Sequence, residues 1–155
     1  MSGVLLDTNI AVDFLRSQRK SRPKNEKAVF DQQSAVTLIE QLIQDDRDIL
    51  FSVVTLKELL QYPYISCEEE ERINKILPMF STVLPLDERI GRIAALYSRE
   101  SAEYREKHIE DCYIAATAAA YRLPLYTKNP KDFEYVKDPS LNIVVPYDYR
   151  RANGI

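Results

Sequence analysis

Val4-Leu5-Leu6-Asp7-Thr8-Asn9 runs from an unbroken apolar stretch straight into a carboxylate. A run without polar alternation reads as a strand buried on both faces, as in a parallel sheet covered by helices. Asp7 then stands at a strand's C-terminal end, the edge where open parallel α/β sheets bind their ligands. Its position alone makes it a site candidate. A second reading stays open, in which Asp7, Thr8 or Asn9 caps a helix beginning near Ile10.

Outward from this stretch, strand and helix signals alternate. Ile10, Ala11, Phe14 and Leu15 form one apolar stripe; Ala35, Leu38, Ile39, Leu42 and Ile43 form a second at helical spacing. Ile49-Leu50-Phe51-Ser52-Val53 predicts a second strand and Thr82-Val83-Leu84 a third. Leu125-Tyr126-Thr127 and Ile143-Val144-Val145 bring the total to about five. Asp87 is placed to cap a helix carrying Ile90, Ile93, Ala94 and Tyr97, and an alanine-rich helix is expected from His108 to Arg122. Alternation of this kind implies right-handed crossovers and a parallel sheet with helices on both faces. Between the first two helices, Ser17 to Gln33 is polar, with Arg19, Lys20, Arg22, Lys24, Lys27 and Pro23. It reads as a loop or flap whose cations either meet phosphates or are simply solvated. No repeat or compositional break divides residues 1–155, so a single α/β domain is expected.

Composition narrows the function classes. A chain of 155 residues suits one domain able to bury a core without staples. No run approaches the roughly 20 apolar residues of a membrane span, and Met1-Ser2-Gly3-Val4 lacks the start of a secretory signal. A soluble, cytoplasmic protein with no membrane partner is the expectation. Cys67 and Cys112 are too few for a disulfide framework or a thiolate zinc site; both read as reduced thiols, Cys112 facing the core. The net charge of −3 argues against a broadly basic nucleic-acid binder. A polyanionic substrate would have to be held locally, through metal ions for instance.

Three more acids fall beside strand or helix ends. Glu58 follows the second strand, where Thr55-x-x-Glu58 also fits a capping box in which Glu58 reaches back to the Thr55 amide. Asp111 opens the alanine-rich helix, where a carboxylate also complements the helix dipole. Asp132 follows the fourth strand in Asn129-Pro130-Lys131-Asp132-Phe133, a turn sequence that Phe133 would anchor to the core. Convergence of Asp7, Glu58, Asp111 and Asp132 at one edge is the functional reading. Clustered carboxylates raise one another's pKa unless a cation neutralises them, and magnesium favours such oxygen donors. The only histidine, His108, has no evident ligand partners in sequence, reads as a cap or surface residue, and gives no support for zinc. Asp13 and Glu110 lie off the faces that Asp7 and Asp111 present, and the tyrosines read mainly as packing, with stacking on unpaired bases as the alternative.

Taken in order, Leu5-Leu6-Asp7-Thr8-Asn9, Thr55-Leu56-Lys57-Glu58-Leu59, Asp111-x-x-Ile114-Ala115-Ala116-Thr117-Ala118 and Leu125-Tyr126-Thr127-Lys128-Asn129-x-x-Asp132-Phe133 resemble the PIN-domain ribonucleases. The resemblance is strongest to the VapC-type toxins of prokaryotic toxin–antitoxin pairs. It implies a single PIN-like domain with a parallel sheet in strand order 3-2-1-4-5 between helices. It further implies hydrolysis of RNA with Mg2+ or Mn2+, a cognate antitoxin partner and a homodimer. Carried over by position, Asp7, Glu58, Asp111 and Asp132 form the catalytic, metal-binding quartet. Asp7 and Asp111 would be the principal ligands, Glu58 a ligand or water-positioning group, and Asp132 a second-metal or supporting ligand. Thr8, Asn9, Thr127 and Asn129 would orient the acids or shape the substrate rim. The stretch from Ser17 to Gln33 looks longer than in compact members, and some relatives place the fourth acid nearer the position of Asn129. A stand-alone RNA-processing nuclease and a catalytically silent interaction module are the alternatives.

Overall fold

The computed structural model describes residues 2–154. The opening apolar run forms β1 (Val4–Leu6), each residue fully buried. Asp7 ends it and caps α1 (Thr8–Ser17), its side chain accepting from the Thr8 amide. After α2 (Glu26–Gln44), β2 (Ile49–Ser52) passes directly into α3 (Val53–Leu60) and then α4 (Cys67–Phe80). The chain continues through β3 (Thr82–Leu84), α5 (Glu88–Glu100), the short α6 (Ala102–Glu106) and α7 (Ile109–Tyr121). It closes with β4 (Leu125–Tyr126), a 3-10 turn (Pro130–Phe133), β5 (Ile143–Val144) and α8 (Tyr149–Ala152).

All neighbouring strands are parallel, in the order β3-β2-β1-β4-β5, as the resemblance implied. Successive residues of a strand point to opposite faces, and β1 shows the consequence. Val4 and Leu6 pack with Ile10, Leu15, Ile39, Leu42, Leu59 and Ile73 on one side, while Leu5 packs with Ile90, Ala94, Tyr104, Ile114 and Ala118 on the other. The alanines of α7 let that helix lie close against the sheet and α5, and Arg122 ends it in the left-handed conformation at φ 54°. Asp87 caps α5 by accepting from the Ile90 amide at 2.9 Å. Cys112 is buried and Cys67 exposed, both as free thiols. Among the described residues no helix is long and apolar enough to cross a membrane.

Two expectations need correction. The polar segment from Ser17 to Gln33 is not one loop, because α2 begins at Glu26 and only the short link before it is irregular. Asn25 starts the helix by accepting from the Ala28 amide at 2.8 Å. The helix's first turns carry no apolar stripe. Their inward position is Asp31, buried with ion pairs from Lys27 and Lys128, so a periodicity search over hydrophobic residues passes over them. In the same helix Ala35, Ile39 and Leu42 are buried as expected, while Ile43 is 56% exposed.

Candidate active site

The parallel topology delivers the four acids to the C-terminal edge of the sheet from four elements. Asp7 comes from the β1–α1 junction, Glu58 from α3, Asp111 from the first turn of α7, and Asp132 from the 3-10 turn after β4. Asp7 caps α1 and at the same time stands at this edge. Its Oδ1 accepts from the Thr8 amide at 2.8 Å, while Oδ2 accepts from Thr127 Oγ1 at 2.8 Å and from Asn9 Nδ2 at 3.3 Å. Thr127 is fully buried and its hydroxyl also accepts from the Asn129 amide at 3.0 Å and from Asn9 Nδ2 at 3.2 Å. Thr8, Asn9, Thr127 and Asn129 thus form one hydrogen-bonded rim around Asp7.

Glu58 does not close a capping box. Ser52 caps α3, accepting from the Val54 amide at 3.0 Å, because the helix starts directly at the strand's end, one turn earlier than Thr55-x-x-Glu58 suggests. Glu58 Oε1 instead accepts from Thr8 Oγ1 at 2.7 Å, and Thr8 Oγ1 lies 2.9 Å from Thr55 Oγ1. The chain therefore ties Glu58 to the Asp7 junction across the sheet edge.

Asp132 rides on a turn anchored by buried Phe133 and by Tyr104, whose hydroxyl donates to the Asp132 carbonyl at 2.8 Å. Its carboxylate, that of Asp111 and a ring nitrogen of His108 all lie within 4.8 Å of one another. Sequence reading gave His108 no ligand partners; the fold supplies two. It occupies the N-cap position of α7 without using its side chain as a cap. Its Nδ1 is 3.2 Å from Asp111 Oδ2 and its Nε2 is 3.6 Å from Glu103 Oε2. The signal in the sequence was the spacing, since residues three apart at a helix start share a face.

Electrostatics follow from this crowding. Burial pushes Asp7 up to about 7, and the charges of Asp111 and Glu58 add to the rise against the hydrogen bonds of Thr127 and Thr8. Burial and the Asp132 charge bring Asp111 to about 6, opposed by His108. Glu58 is also raised, chiefly by burial, while its bond from Thr8 opposes the shift. Asp7 and Asp111 therefore hold protons near neutrality unless a cation replaces them, and Glu58 is shifted in the same direction. The oxygen-rich donor set fits a hard divalent ion.

The acids excluded on position are engaged elsewhere. Asp13 is buried, 2.7 Å from Lys128 Nζ and 2.8 Å from the Tyr147 hydroxyl that donates to it. Glu110 pairs with Lys57 at 3.1 Å. Next to Asp132 opens a cleft of about 640 Å³, whose lining includes Asn9, Asn129, Lys131, Tyr149 and Arg150.

A family model described as PIN domain matches residues 4–139. Ribonuclease VapC1 of Methanocaldococcus jannaschii is 24% identical over 142 residues, spanning 92% of this chain and 87% of that protein. Among solved structures, FitAcB from Neisseria gonorrhoeae superposes with a TM-score of 0.65 at 26% identity, over 92% of this chain and 97% of its own. A toxin–antitoxin complex from Klebsiella pneumoniae gives 0.64 at 26% identity, over 94% and 99% respectively.

Proposed function

The chain belongs to the PIN domain family, and from that premise we propose that it is a metal-dependent endoribonuclease acting as the toxin of a toxin–antitoxin pair. The observation that carries the reading is the convergence of Asp7, Glu58, Asp111 and Asp132 at one sheet edge, with Asp7 and Asp111 held near neutral pKa by burial and mutual repulsion. Hydrolysis of an RNA phosphodiester joins the oxygen of water to phosphorus and places a proton on the departing 3′ oxygen.

Asp7 and Asp111 would hold Mg2+ or Mn2+ directly. Glu58 would bind the ion or orient water, and Asp132 would serve a second ion or support the first. When bound, the cation supplies an acidified water and neutralises charge on the leaving oxygen. Thr127 and Thr8 keep the Asp7 and Glu58 carboxylates aimed into the site through their hydroxyls. Asn9 and Asn129 shape its rim. The adjoining cleft offers Lys131 and Arg150 to phosphates and Tyr149 to an unstacked base.

Relatives solved as toxin–antitoxin assemblies support a cognate antitoxin. An apolar groove of about 440 Å³ between α1, α4 and the α3–α4 link, lined by Val12, Leu15, Leu59, Tyr62, Tyr64 and Ile73, suits such a partner's segment. Tyr62 and Tyr64 are exposed there at 65% and 96%. A homodimer fits the same reading.

The test is incubation of purified, partner-free protein with structured and single-stranded RNA in magnesium, manganese or chelator, beside Asp7→Asn and Asp111→Asn. Cleavage that needs the ion and vanishes in both variants supports the proposal. Cleavage that survives Asp7→Asn overturns it.

A further inference from the structure

His108 is the chain's single histidine, and the fold brings a ring nitrogen of it within 4.8 Å of the Asp111 and Asp132 carboxylates. We propose that His108 is a direct ligand of the active-site cation, completing a His108–Asp111–Asp132 donor set that favours transition-metal ions over magnesium. This inference rests on the reading of the acidic edge as a cation site.

Three features of the ring support it. First, the imidazole is held in place. It stacks on Tyr135 with ring centroids 5.6 Å apart and planes 26° apart, and Tyr135 in turn meets Tyr104 edge-on at 5.6 Å. Tyr104 is also the residue that ties down the Asp132 turn, so ring and carboxylate share one support. Second, both ring nitrogens face carboxylates, Nδ1 toward Asp111 at 3.2 Å and Nε2 toward Glu103 at 3.6 Å. A neutral imidazole carries a single N–H. With that N–H on Nε2, on the side of Glu103, the Nδ1 lone pair points at the Asp111 oxygen, an arrangement that a shared cation satisfies. A carboxylate behind the distal nitrogen is the usual partner of a metal-bound histidine, fixing its tautomer and orientation. Third, the side chains of His108 and Asp111 are 35% and 20% exposed, open enough for an ion to enter from solvent.

The consequence for metal choice is chemical. Imidazole suits zinc, iron and nickel, whereas carboxylate and water suffice for magnesium. A nitrogen in the donor set therefore raises affinity for transition ions relative to magnesium.

Tag-free protein labelled with 15N-histidine, the His108→Gln variant and Asp111→Asn are titrated with Mn2+ by electron paramagnetic resonance, with Mg2+ as competitor and pulsed detection of nitrogen coupling. The expected result is a histidine nitrogen coupled to bound manganese in the wild type and absent from His108→Gln. That variant should lose about tenfold in manganese affinity while its competition by magnesium improves. Circular dichroism and thermal melting confirm that the variant is folded. Manganese bound with Asp111-dependent affinity but without nitrogen coupling, and unchanged in His108→Gln, overturns the ligand assignment and leaves the acidic cation site standing. No manganese binding that Asp111→Asn abolishes overturns the cation site itself, and the His108 proposal with it.

Discussion

Thr127 Oγ1 donates to Asp7 Oδ2 at 2.8 Å across a separation of 120 residues. The bond joins the ends of β4 and β1 and is the main hydrogen bond opposing the upward shift of the Asp7 pKa. Thr127→Val keeps the shape and removes the donor. A hydrogen bond to a charged group contributes about 1.5–3 kcal/mol, so the variant's Asp7 should titrate well above the wild type's value near 7. Divalent-ion affinity at neutral pH should fall roughly tenfold or more, since protons then compete better. Calorimetric titration with Mn2+ at pH 7 and pH 8.5 checks this, because the deficit should shrink at the higher pH. A deficit independent of pH would remove the protonation argument.

Asp7 also sets a pH dependence of stability in the metal-free protein. Its folded pKa of about 7 lies above the ordinary 3.8, and that of Asp111, about 6, does too. Between those limits the unfolded chain has released the proton and the folded chain has kept it. Unfolding is then favoured as pH rises. The contribution is fully present below about pH 4 and lost as pH climbs through 6 and 7. In chelator the melting temperature should therefore fall from pH 5 to pH 8, and divalent ions should restore it most at the alkaline end. Asp7→Asn removes the buried charge and should melt higher than wild type at pH 8, despite losing cleavage. Differential scanning calorimetry across this range decides it; a flat profile in chelator would contradict the shifts.

The edge legible in the sequence was the one built by local grammar. A carboxylate after an unbroken apolar run marks a parallel strand's end whatever else the chain does, and Asp7 sits where that grammar put it, while Asp132 sits in the turn that Asn129-Pro130 announced after the fourth strand. Asp111 needed only the helix start. The contacts of Glu58 and His108 were harder to read, because each includes a partner far away in sequence: Thr8 for Glu58 and Asp132 for His108. A capping box is a rule over four residues, and it lost to a helix capped earlier by Ser52. The beginning of α2 was hidden for a related reason, since its buried position holds Asp31 rather than an apolar residue.

That buried aspartate leads to a stability prediction. Lys128 Nζ lies 2.7 Å from Asp13 and 3.3 Å from Asp31, both almost fully buried. The lysine fastens the chain just after Thr127 to α1 and α2. Lys128→Met fills similar volume and leaves Asp13 without its cation and Asp31 with Lys27 alone. Breaking a buried ion pair from one side costs about 3–5 kcal/mol. Urea unfolding should show a loss of that order, and Asp13→Asn introduced with Lys128→Met should recover part of it. A double variant no more stable than the single one would mean that Asp13 is not the group left stranded.

Tyr104 offers the last separation, between holding the fold and holding the site. It is 1% exposed, and its hydroxyl donates to the Asp132 backbone carbonyl at 2.8 Å, pinning the 3-10 turn that carries the Asp132 carboxylate. Tyr104→Phe leaves the ring against Tyr135 and removes only the donor, stranding a carbonyl at a loss of about 1–3 kcal/mol. Phe133 still anchors the turn in the core, so the fold should survive with a modestly lower melting temperature. The turn's carboxylate should become less well placed relative to Asp111, while Asp7 and Glu58, held by Thr127 and Thr8, stay put. Weaker manganese binding together with intact Asp7 titration, followed by 13C carboxyl resonances in the metal-free protein, is the expected pair of results. If metal affinity stayed at the wild-type level while stability fell, Asp132 would lie outside the ion's reach, and the role of Tyr104 would be confined to the core.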